Sequence, residues 1–323
     1  MNVVVTGAAG FLGRRLIAAL LKQGWLNDID GRKLQIERIT AFDVLALDGV
    51  EDPRVHTVGG NMANEADIAQ LITPDTHSVF HLAAIVSGQA EEDFDLGMRI
   101  NFDATRAILE RIRTVGGRVK FVMTSSVAVF GGSLPDVVPD SQVWSPKSSY
   151  GTEKAMADIL LADYSRRGFV DGRSLRMPTI VVRPGKPNRA ASSFASGIIR
   201  EPLNGMTAVC PVDEATKLWL MSPRLAIQNL LHGHALAADV LTSRVLNMPG
   251  LSISVAEMIA ALRRVSGDDV VARIQMQPDP SIAAIVNSWP GNFSAEAATA
   301  LGFQCDTDFD EVIRAFMEDQ LGH

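Results

Sequence analysis

Tyr150 and Lys154 carry the clearest chemical signal in this sequence, because a spacing of four puts a phenol and an ammonium on one face of a helix, one turn apart. A free tyrosine has a pKa of about 10, which is too high for a base at neutral pH. A neighbouring Lys⁺ stabilises the phenolate and lowers that pKa. The chain contains only two tyrosines, so this spacing rarely arises by chance. The pair therefore predicts a general base that removes a proton from a hydroxyl group.

Ser125 and Ser126 end the strand that is predicted before that helix. The carboxyl ends of parallel strands lie where open α/β sheets bind their ligands. A serine hydroxyl at this place can donate to a substrate oxygen while it accepts from Tyr150, although serines at strand ends also form ordinary turns. In combination with Tyr150 and Lys154, Ser126 predicts a site that holds a substrate oxygen.

Three glycines, Gly7, Gly10 and Gly13, follow the first predicted strand and open the first predicted helix. Such glycines allow a tight turn, a close approach of the backbone to a pyrophosphate, and close packing of helix on sheet. Asp43 ends the next strand, where a carboxylate binds adenosine ribose hydroxyls and repels a 2′-phosphate, so NAD is favoured over NADP. The spacing exceeds the usual value of about 20 residues, and the polar segment 27–33 is the predicted insertion. A plain tight turn and an ordinary strand-end carboxylate are the alternative interpretations.

The elements that must position these residues alternate along the first half of the chain. The predicted strands are 3–6, 36–42, 55–58, 79–84, 119–124 and 175–182, and the predicted helices are 11–23, 94–113 and 150–166. Strands separated by helices imply βαβ units and a parallel sheet with both faces covered. We therefore predict a doubly wound α/β fold.

The rhythm changes after Pro184, where Gly and Pro residues become frequent and the helices shorten. We predict a dinucleotide-binding domain over 1–182, to which 223–248 returns as helix and strand. A smaller, mostly helical substrate-binding lobe is predicted over 183–222 and 249–323.

The composition excludes several other classes of protein. The 323 residues are 47% hydrophobic, which suits a globular core, and the net charge of −7 argues against nucleic acid or an anionic membrane as partner. No apolar run reaches the roughly 18 residues of a spanning helix, and no signal-peptide pattern opens the chain. Cys210 and Cys305 are isolated, which fits a reducing compartment. No metal site is expected, since His232 and His234 face different sides of a helix. These features predict a soluble cytoplasmic protein.

Together these residues resemble the extended short-chain dehydrogenase/reductases, a family that includes nucleotide-sugar epimerases and dehydratases. The resemblance covers roughly residues 1–250. It rests on four motifs, which are Thr6-Gly7-Ala8-Ala9-Gly10-Phe11-Leu12-Gly13, His81-Leu82-Ala83-Ala84, Ser125-Ser126-Val127-Ala128-Val129-Phe130-Gly131 and Tyr150…Lys154.

The resemblance implies a Rossmann domain that binds NAD, with Ser126, Tyr150 and Lys154 as catalytic residues. It implies that Asn61 and Met62 flank the adenine. The full set of implied cofactor residues is Gly7, Gly10, Phe11, Leu12, Gly13, Asp43, Asn61, Met62, Leu82, Ala83, Ala84, Asn101, Ser125, Tyr150, Lys154, Pro178, Thr179 and Ile180. Helices 94–113 and 150–166 often form a dimer interface in this family, so a homodimer is expected by analogy.

The chain departs from the family at three places. Phe130 replaces the usual tyrosine, and Thr179 stands where the epimerases have an asparagine that contacts the sugar. No Asp-Glu pair follows Ser126, which argues against dehydration. Segments 148–156, 183–188 and 190–203 instead resemble a branch that oxidises a four-carbon sugar acid to its 2-keto acid.

A sugar acid needs a partner for its carboxylate. Arg183 and Arg200 are the predicted partners, because a planar guanidinium binds a carboxylate through two hydrogen bonds. Ser192 or Ser193 is the expected N-cap of a helix whose start can bind an anion. Solvent-facing arginines and ordinary capping serines are equally compatible with the pattern. The complete set of predicted substrate residues is Ser87, Ser126, Thr179, Arg183, Ser192 and Arg200.

The sequence thus predicts an NAD-dependent oxidation of a small sugar acid at its 2-hydroxyl, with D-erythronate as the substrate that the resemblance implies. A nucleotide-sugar epimerase of the same family is the first alternative. A dinucleotide-sensing binding protein without catalysis is the second, and the intact Ser126, Tyr150 and Lys154 argue against it.

Overall fold

The structure, a computed structural model, describes residues 1–116, 118–185 and 190–322. Within those residues, the strands are β1 (Asn2–Thr6), β2 (Trp25–Asn27), β3 (Lys33–Gln35), β4 (Arg38–Asp43), β5 (Val55–Gly59), β6 (Ser78–His81), β7 (Lys120–Ser126), β8 (Asp171–Met177), β9 (Thr179–Ile180), β10 (Ala208–Cys210), β11 (Lys217–Met221), β12 (Val245–Asn247), β13 (Leu251–Ser254) and β14 (Ile274–Met276).

The helices of the described chain complete the set of elements. They are α1 (Phe11–Gln23), α2 (Glu65–Leu71), α3 (Ser87–Glu92), α4 (Phe94–Gly97), α5 (Ala104–Val115), α6 (Ser149–Arg166), α7 (Ser193–Leu203), α8 (Pro223–Ala235), α9 (Val255–Ser266), α10 (Asp268–Val271), α11 (Pro280–Val286), α12 (Glu296–Ala300) and α13 (Phe309–Gln320). A π-helical segment, Met98–Asp103, joins α4 to α5, so the predicted helix 94–113 changes its winding on the way.

Seven parallel strands form the main sheet in the order β12-β8-β7-β6-β1-β4-β5. Buried aliphatic residues of α1 and α8 pack on one face, and those of α2, α5 and α6 pack on the other. Burial of both faces favours apolar strands, and the interiors of β1, β4 and β6 have that pattern. β8 is buried as well but carries Asp171, Arg173 and Arg176, which are paired with other groups in the interior. The predicted doubly wound α/β fold is confirmed.

A second, smaller core lies in the carboxyl-terminal half. There β11 pairs with β9 and β13, β10 pairs with β14, and α7, α9 and α13 supply the apolar residues between them. β12 lies beside β8 at the edge of the main sheet. The chain therefore leaves the main sheet after β8 and comes back to it once.

Two predicted strands extend too far at their carboxyl ends, and the one predicted over 175–182 also begins four residues too late, because β8 starts at Asp171. The strand predicted over 175–182 ends at Met177, because Pro178 has no N–H to continue the ladder, and Thr179–Ile180 pairs with β11 in the smaller sheet. The strand predicted over 79–84 ends at His81. The prediction was wrong at both places for one reason, since the chain turns out of the main sheet at its carboxyl edge to line a cavity.

Candidate active site

The glycine turn between β1 and α1 is built so that side chains would not fit. Gly7 has a φ of 70°, and a Cβ there would lie 2.7 Å from the backbone nitrogen of Ala83. A Cβ on Gly13 would lie 2.2 Å from the carbonyl oxygen of Gly7. Gly10 is the N-cap of α1 and offers no side chain to bond the first N–H groups of the helix. This helix start is therefore a site for an anion such as a pyrophosphate.

Asp43 joins the end of β4 to the same turn. Its carboxylate accepts hydrogen bonds from the N–H of Ala9 at 3.0 Å and of Leu45 at 3.1 Å. These bonds fix the carboxylate beside the turn and leave lone pairs for further donors. The helix start and the fixed carboxylate together fit the pyrophosphate and ribose of a dinucleotide.

A cavity of about 300 Å³ opens at the carboxyl edge of the main sheet and joins the glycine turn to Ser126 and Tyr150, two of the three predicted catalytic residues. Predicted residues that line it are Gly7, Gly10, Phe11, Leu12, Gly13, Leu82, Ser87, Ser125, Ser126, Tyr150, Pro178, Thr179, Ile180, Arg183 and Ser192. The fold thus brings together residues that are spread over 186 positions of the sequence, from Gly7 to Ser192.

Tyr150 lies in the first turn of α6, which Ser148 caps by accepting from the N–H of Gly151 at 3.1 Å. Burial of the hydroxyl raises the pKa of Tyr150 to about 12. A hydrogen bond with Ser126 and the positive charge of Arg183 oppose that rise in pKa. Burial outweighs both, and Lys154 is not among the groups that lower this pKa, so the lowering predicted from the spacing of Tyr150 and Lys154 is not found. The cation that acts on the phenol is Arg183, which that spacing did not predict.

Lys154 is buried one turn further along α6. Its Nζ donates to the carbonyl oxygen of Thr124 at 3.0 Å and lies 5.8 Å from the centre of the Tyr150 ring. Burial lowers the pKa of Lys154 to about 8, and the charges of Asp158 and Glu153 oppose that shift. The ammonium is therefore held at the end of β7, on the cavity side of the sheet.

Arg183 is the cation that faces the cavity from the smaller lobe. One guanidinium nitrogen donates to the Ser192 hydroxyl at 3.0 Å, and the backbone N–H donates to Ser196 Oγ at 3.0 Å. Among the described residues no carboxylate lies within salt-bridge distance of Arg183. Burial, and then the charge of Arg200, lowers the pKa of Arg183. Its guanidinium is thus available to an anion in the cavity.

Arg200 does not reach the cavity. It is buried, donates from Nη1 to the carbonyl oxygen of Arg183 at 2.7 Å, and pairs with Glu201. Its place beneath Arg183 suits a supporting contact rather than a contact with substrate.

Several predicted cofactor residues lie outside the cavity lining. Asn61 is exposed after β5, and Met62 packs in the core. Asn101 brackets Ile85, accepting from its N–H and donating to its carbonyl oxygen, and it also donates to Glu153 at 2.6 Å. The remaining predicted residues outside the lining are Asp43, Ala83, Ala84 and Lys154. Residues 186–188, part of a segment that resembles the sugar-acid branch, lie outside the described residues.

The sequence did not indicate some of the cavity wall. Trp289 lines the cavity from the loop after α11, and Val86, Thr124, Val127, Ala128, Met177 and Ala190 line it as well. An aromatic residue before a Pro-Gly pair was the only local signal for Trp289. Its distance of more than 100 residues from Tyr150 along the chain hides the contact.

The described part of the chain has neither a cluster of metal ligands nor a membrane-spanning helix. No three His, Cys, Asp or Glu side chains there are close enough to hold a metal ion. None of its helices combines the length and the apolar character needed to cross a bilayer.

A parallel sheet with a glycine turn, a strand-end carboxylate and a tyrosine–lysine helix defines a class of dinucleotide-dependent enzymes. The chain matches the NAD dependent epimerase/dehydratase family over residues 3–219, and it belongs to that family. The predicted family is thereby confirmed, and NAD is its cofactor.

Particular relatives are similar over nearly their full length. The chain is 57% identical over 320 residues to the D-erythronate dehydrogenase of Cupriavidus necator, covering 99% of this chain and 98% of the relative. It is 46% identical to the D-erythronate dehydrogenase of Haemophilus influenzae, with 98% and 99% covered. Among solved structures, one described as the nucleoside-diphosphate-sugar epimerase from Agrobacterium tumefaciens has a TM-score of 0.93 and 42% identity, covering 100% of this chain and 95% of that one.

Proposed function

We propose that this enzyme oxidises D-erythronate at its 2-hydroxyl to the 2-keto acid. The observation that carries the proposal is one cavity that holds Tyr150 and Ser126 together with the guanidinium of Arg183. A 2-hydroxy acid presents a hydroxyl and a carboxylate on adjacent carbons, so it can use a base and a cation at once. The two relatives named D-erythronate dehydrogenase support the same substrate.

The residues that would hold NAD are those of the glycine turn, Asp43 and Lys154. When NAD is bound, its nicotinamide accepts the hydride, and that chemistry belongs to the cofactor. The start of α1 would hold the phosphates, the carboxylate of Asp43 would accept from ribose hydroxyls, and the ammonium of Lys154 would donate to the other ribose.

The chain's own residues act on the alcohol. Ser126 would donate to the oxygen of the 2-hydroxyl, and Tyr150 as a phenolate would take its proton. Burial holds the pKa of Tyr150 at about 12, so the phenolate depends on the cation of Arg183 and on the positive charge that NAD⁺ would add when bound. Arg183 binds the carboxylate through two parallel hydrogen bonds, which fixes the reacting carbon relative to both groups. Fixing the substrate in this way replaces an encounter in solution with a reaction between neighbouring groups.

The smaller lobe is part of the proposal. Arg183, Ser192 and Trp289 all lie beyond the predicted boundary at residue 182, and all line the cavity. We assign 183–222 and 249–323 to substrate binding on that basis, with 1–182 and 223–248 as the NAD-binding domain.

The test is the formation of NADH from NAD⁺ and D-erythronate, followed by its absorbance. Wild-type enzyme should turn over D-erythronate and should not turn over erythritol, which has the hydroxyls but no carboxylate. Tyr150→Phe should lose at least about a hundredfold in kcat, since a general base contributes on the order of 10²–10⁴. Normal turnover by Tyr150→Phe would refute the assigned base.

A nucleotide-sugar epimerase is the second candidate, favoured by the description of the 42% identical structure. An epimerase returns its hydride to the sugar and accumulates no NADH. Conversion of a nucleotide sugar without net NADH, and no response to D-erythronate, would replace the first proposal with this one.

A homodimer in the cytoplasm, with a place in carbohydrate metabolism, completes the proposal. Phe94 on α4 and Ile159 on α6 are 59% and 58% exposed, which suits helices that pack against a second copy. Cys210 and Cys305 are separate thiols, as expected in a reducing compartment. Sedimentation should give twice the mass of the chain, and Ile159→Asp should give the monomer.

A further inference from the structure

Asp158 lies beneath the candidate site, one helical turn after Lys154, and is fully buried. Its carboxylate accepts three hydrogen bonds, from Ser125 Oγ at 3.1 Å, from Ser174 Oγ at 2.6 Å and from Arg176 Nε at 2.8 Å. The Ser125 bond ties α6 to the end of β7, and the other two tie it to β8. One carboxylate thus connects the three elements that carry the catalytic groups and the cavity wall.

Arg176 is held at Nε and Nη1, whereas its buried Nη2 has no hydrogen-bond partner among the described residues. Its guanidinium carbon lies 3.8 Å from the centre of the Trp144 ring and 5.1 Å from that of Phe130, and Nη1 donates to Asn247 at 3.3 Å. An ion pair buried this deeply costs desolvation energy on both sides, so it is weak evidence of a role in stability alone.

We propose that Asp158 is a positioning residue of the active site, which keeps the buried Lys154 protonated and holds the serine-bearing end of β7 in register with α6. Resting on the function proposed above, the inference assigns Asp158 no contact with substrate. It acts through Lys154 and through Ser125, the neighbour of Ser126.

The charged and titratable groups around Lys154 come from two elements. On α6 they are Tyr150, Glu153 and Asp158, and on β6 the group is His81. Arg176 on β8 contacts Asp158 rather than Lys154. Burial lowers the pKa of His81 to about 3, so this ring is neutral at working pH.

Glu153 is the weaker of the two anions whose charges raise the pKa of Lys154. Burial raises its pKa, and its Oε1 has no hydrogen-bond partner in the described structure. Asp158, with three donors, is therefore the dependable counter-charge of Lys154.

The sign of the expected effect follows from the charge. Removing an anion favours loss of a proton by its neighbours, so Asp158→Asn moves the pKa of Lys154 further below about 8. Asparagine keeps the shape and an acceptor for one of the two serine hydroxyls, which donate to different oxygens of the carboxylate. In a plot of kcat against pH, the alkaline decrease should begin about one pH unit lower than in wild type, which is a tenfold loss of kcat at a given alkaline pH. Near pH 6.5 the variant should stay within about threefold of wild type.

Binding of NADH gives a second measurement that needs no substrate. The affinity for NADH, followed by fluorescence, should fall as the pH rises, because a neutral Lys154 donates more weakly to the ribose. In Asp158→Asn this fall should occur at a lower pH than in wild type. Arg176→Gln removes the cation that compensates the charge of Asp158. The fall of kcat and the fall of NADH affinity should then both occur at a higher pH than in wild type. This variant keeps the inference testable where Asp158→Asn does not fold.

Asp171 offers a matched control on β8, the strand that carries Arg176. It is a buried aspartate that pairs with Arg173 at 3.1 Å and with Arg244 at 2.6 Å, at the amino end of β8 and outside the cavity lining. Asp171→Asn should lower Tm and leave both pH profiles unchanged. The same behaviour in Asp158→Asn would overturn the inference. An inactive wild type would instead overturn the proposed function, and the NADH measurement would still decide the role of Asp158.

Discussion

Arg200 donates to the backbone carbonyl oxygen of Arg183 at 2.7 Å, so one arginine fixes the main chain from which the other reaches the cavity. The carbonyl of Arg183 is thereby satisfied inside the protein, and its guanidinium points to Ser192 and the open space. The two residues were predicted to play the same part, and the structure gives them different places.

The first prediction separates those places. Arg183→Gln removes the cation from the cavity, and the KM for D-erythronate should rise about 10- to 100-fold, the equivalent of a hydrogen-bonded charge of about 1.5–3 kcal/mol. The KM for NAD⁺ should change less than threefold. Arg200→Gln is the matched control, and it should lower Tm with a smaller change in the KM for D-erythronate. Equal effects of the two variants on that KM would contradict the separation.

A second prediction concerns the glycine turn. Gly13→Ala places a Cβ 2.2 Å from the carbonyl oxygen of Gly7, and the backbone must shift to relieve the overlap. Overpacking of this kind costs about 3 kcal/mol, and the shift should weaken NADH binding by at least tenfold. Gly59→Ala, at the end of β5 with nothing within 4 Å of the added carbon, should change neither Tm nor NADH affinity. Fluorescence titration and thermal unfolding measure both quantities.

Local pattern was enough to find the residues whose partners are near them in sequence. The spacing of Tyr150 and Lys154 places them on one face of a helix. Gly7, Gly10 and Gly13 lie in a single strand-to-helix turn. Both groups could therefore be predicted without knowing the rest of the fold.

Contacts between distant segments could not be read in the same way. Asp158 and Arg176 look like surface residues in sequence, and only the pairing of β7 with β8 and the packing of α6 on the sheet put them in the interior. Trp289 reaches the cavity because the chain returns to it after α11. β8 ends at Met177 because the segment after Pro178 pairs with β11 in the smaller sheet instead of continuing in the main sheet.

The third prediction tests the choice of dinucleotide. The carboxylate of Asp43 is fixed beside the glycine turn by the N–H groups of Ala9 and Leu45, so it cannot easily swing away from a 2′-phosphate. Asp43→Asn removes the repulsion and should narrow the preference for NAD⁺ over NADP⁺ by at least about tenfold, or about 1.4 kcal/mol. The ratio of kcat/KM for the two cofactors measures it. A wild type that prefers NADP⁺ would remove the basis of this prediction.

The last prediction concerns stability at acidic pH. His81 is buried between Thr6 Oγ1 at 2.7 Å and Thr105 Oγ1 at 3.0 Å, and burial holds its pKa at about 3, well below the unfolded value of about 6.5. Below about pH 6.5, His81 binds a proton in the unfolded chain but stays neutral in the folded chain. The free energy of unfolding that is present above that pH is therefore lost progressively as the pH falls towards 3.

Each such histidine gives the free energy of unfolding a slope of at most about 1.4 kcal/mol per pH unit. The buried His234, whose pKa is also lowered by burial, adds a slope of the same sign. Urea unfolding at several pH values should therefore show a shallower dependence for His81→Asn than for wild type between pH 6.5 and 4. The exposed His56 on β5 supplies the control, since His56→Asn also removes one histidine and leaves the contacts of His81 with Thr6 and Thr105 in place. Equal slopes for wild type and His81→Asn would show that His81 is protonated in the folded protein.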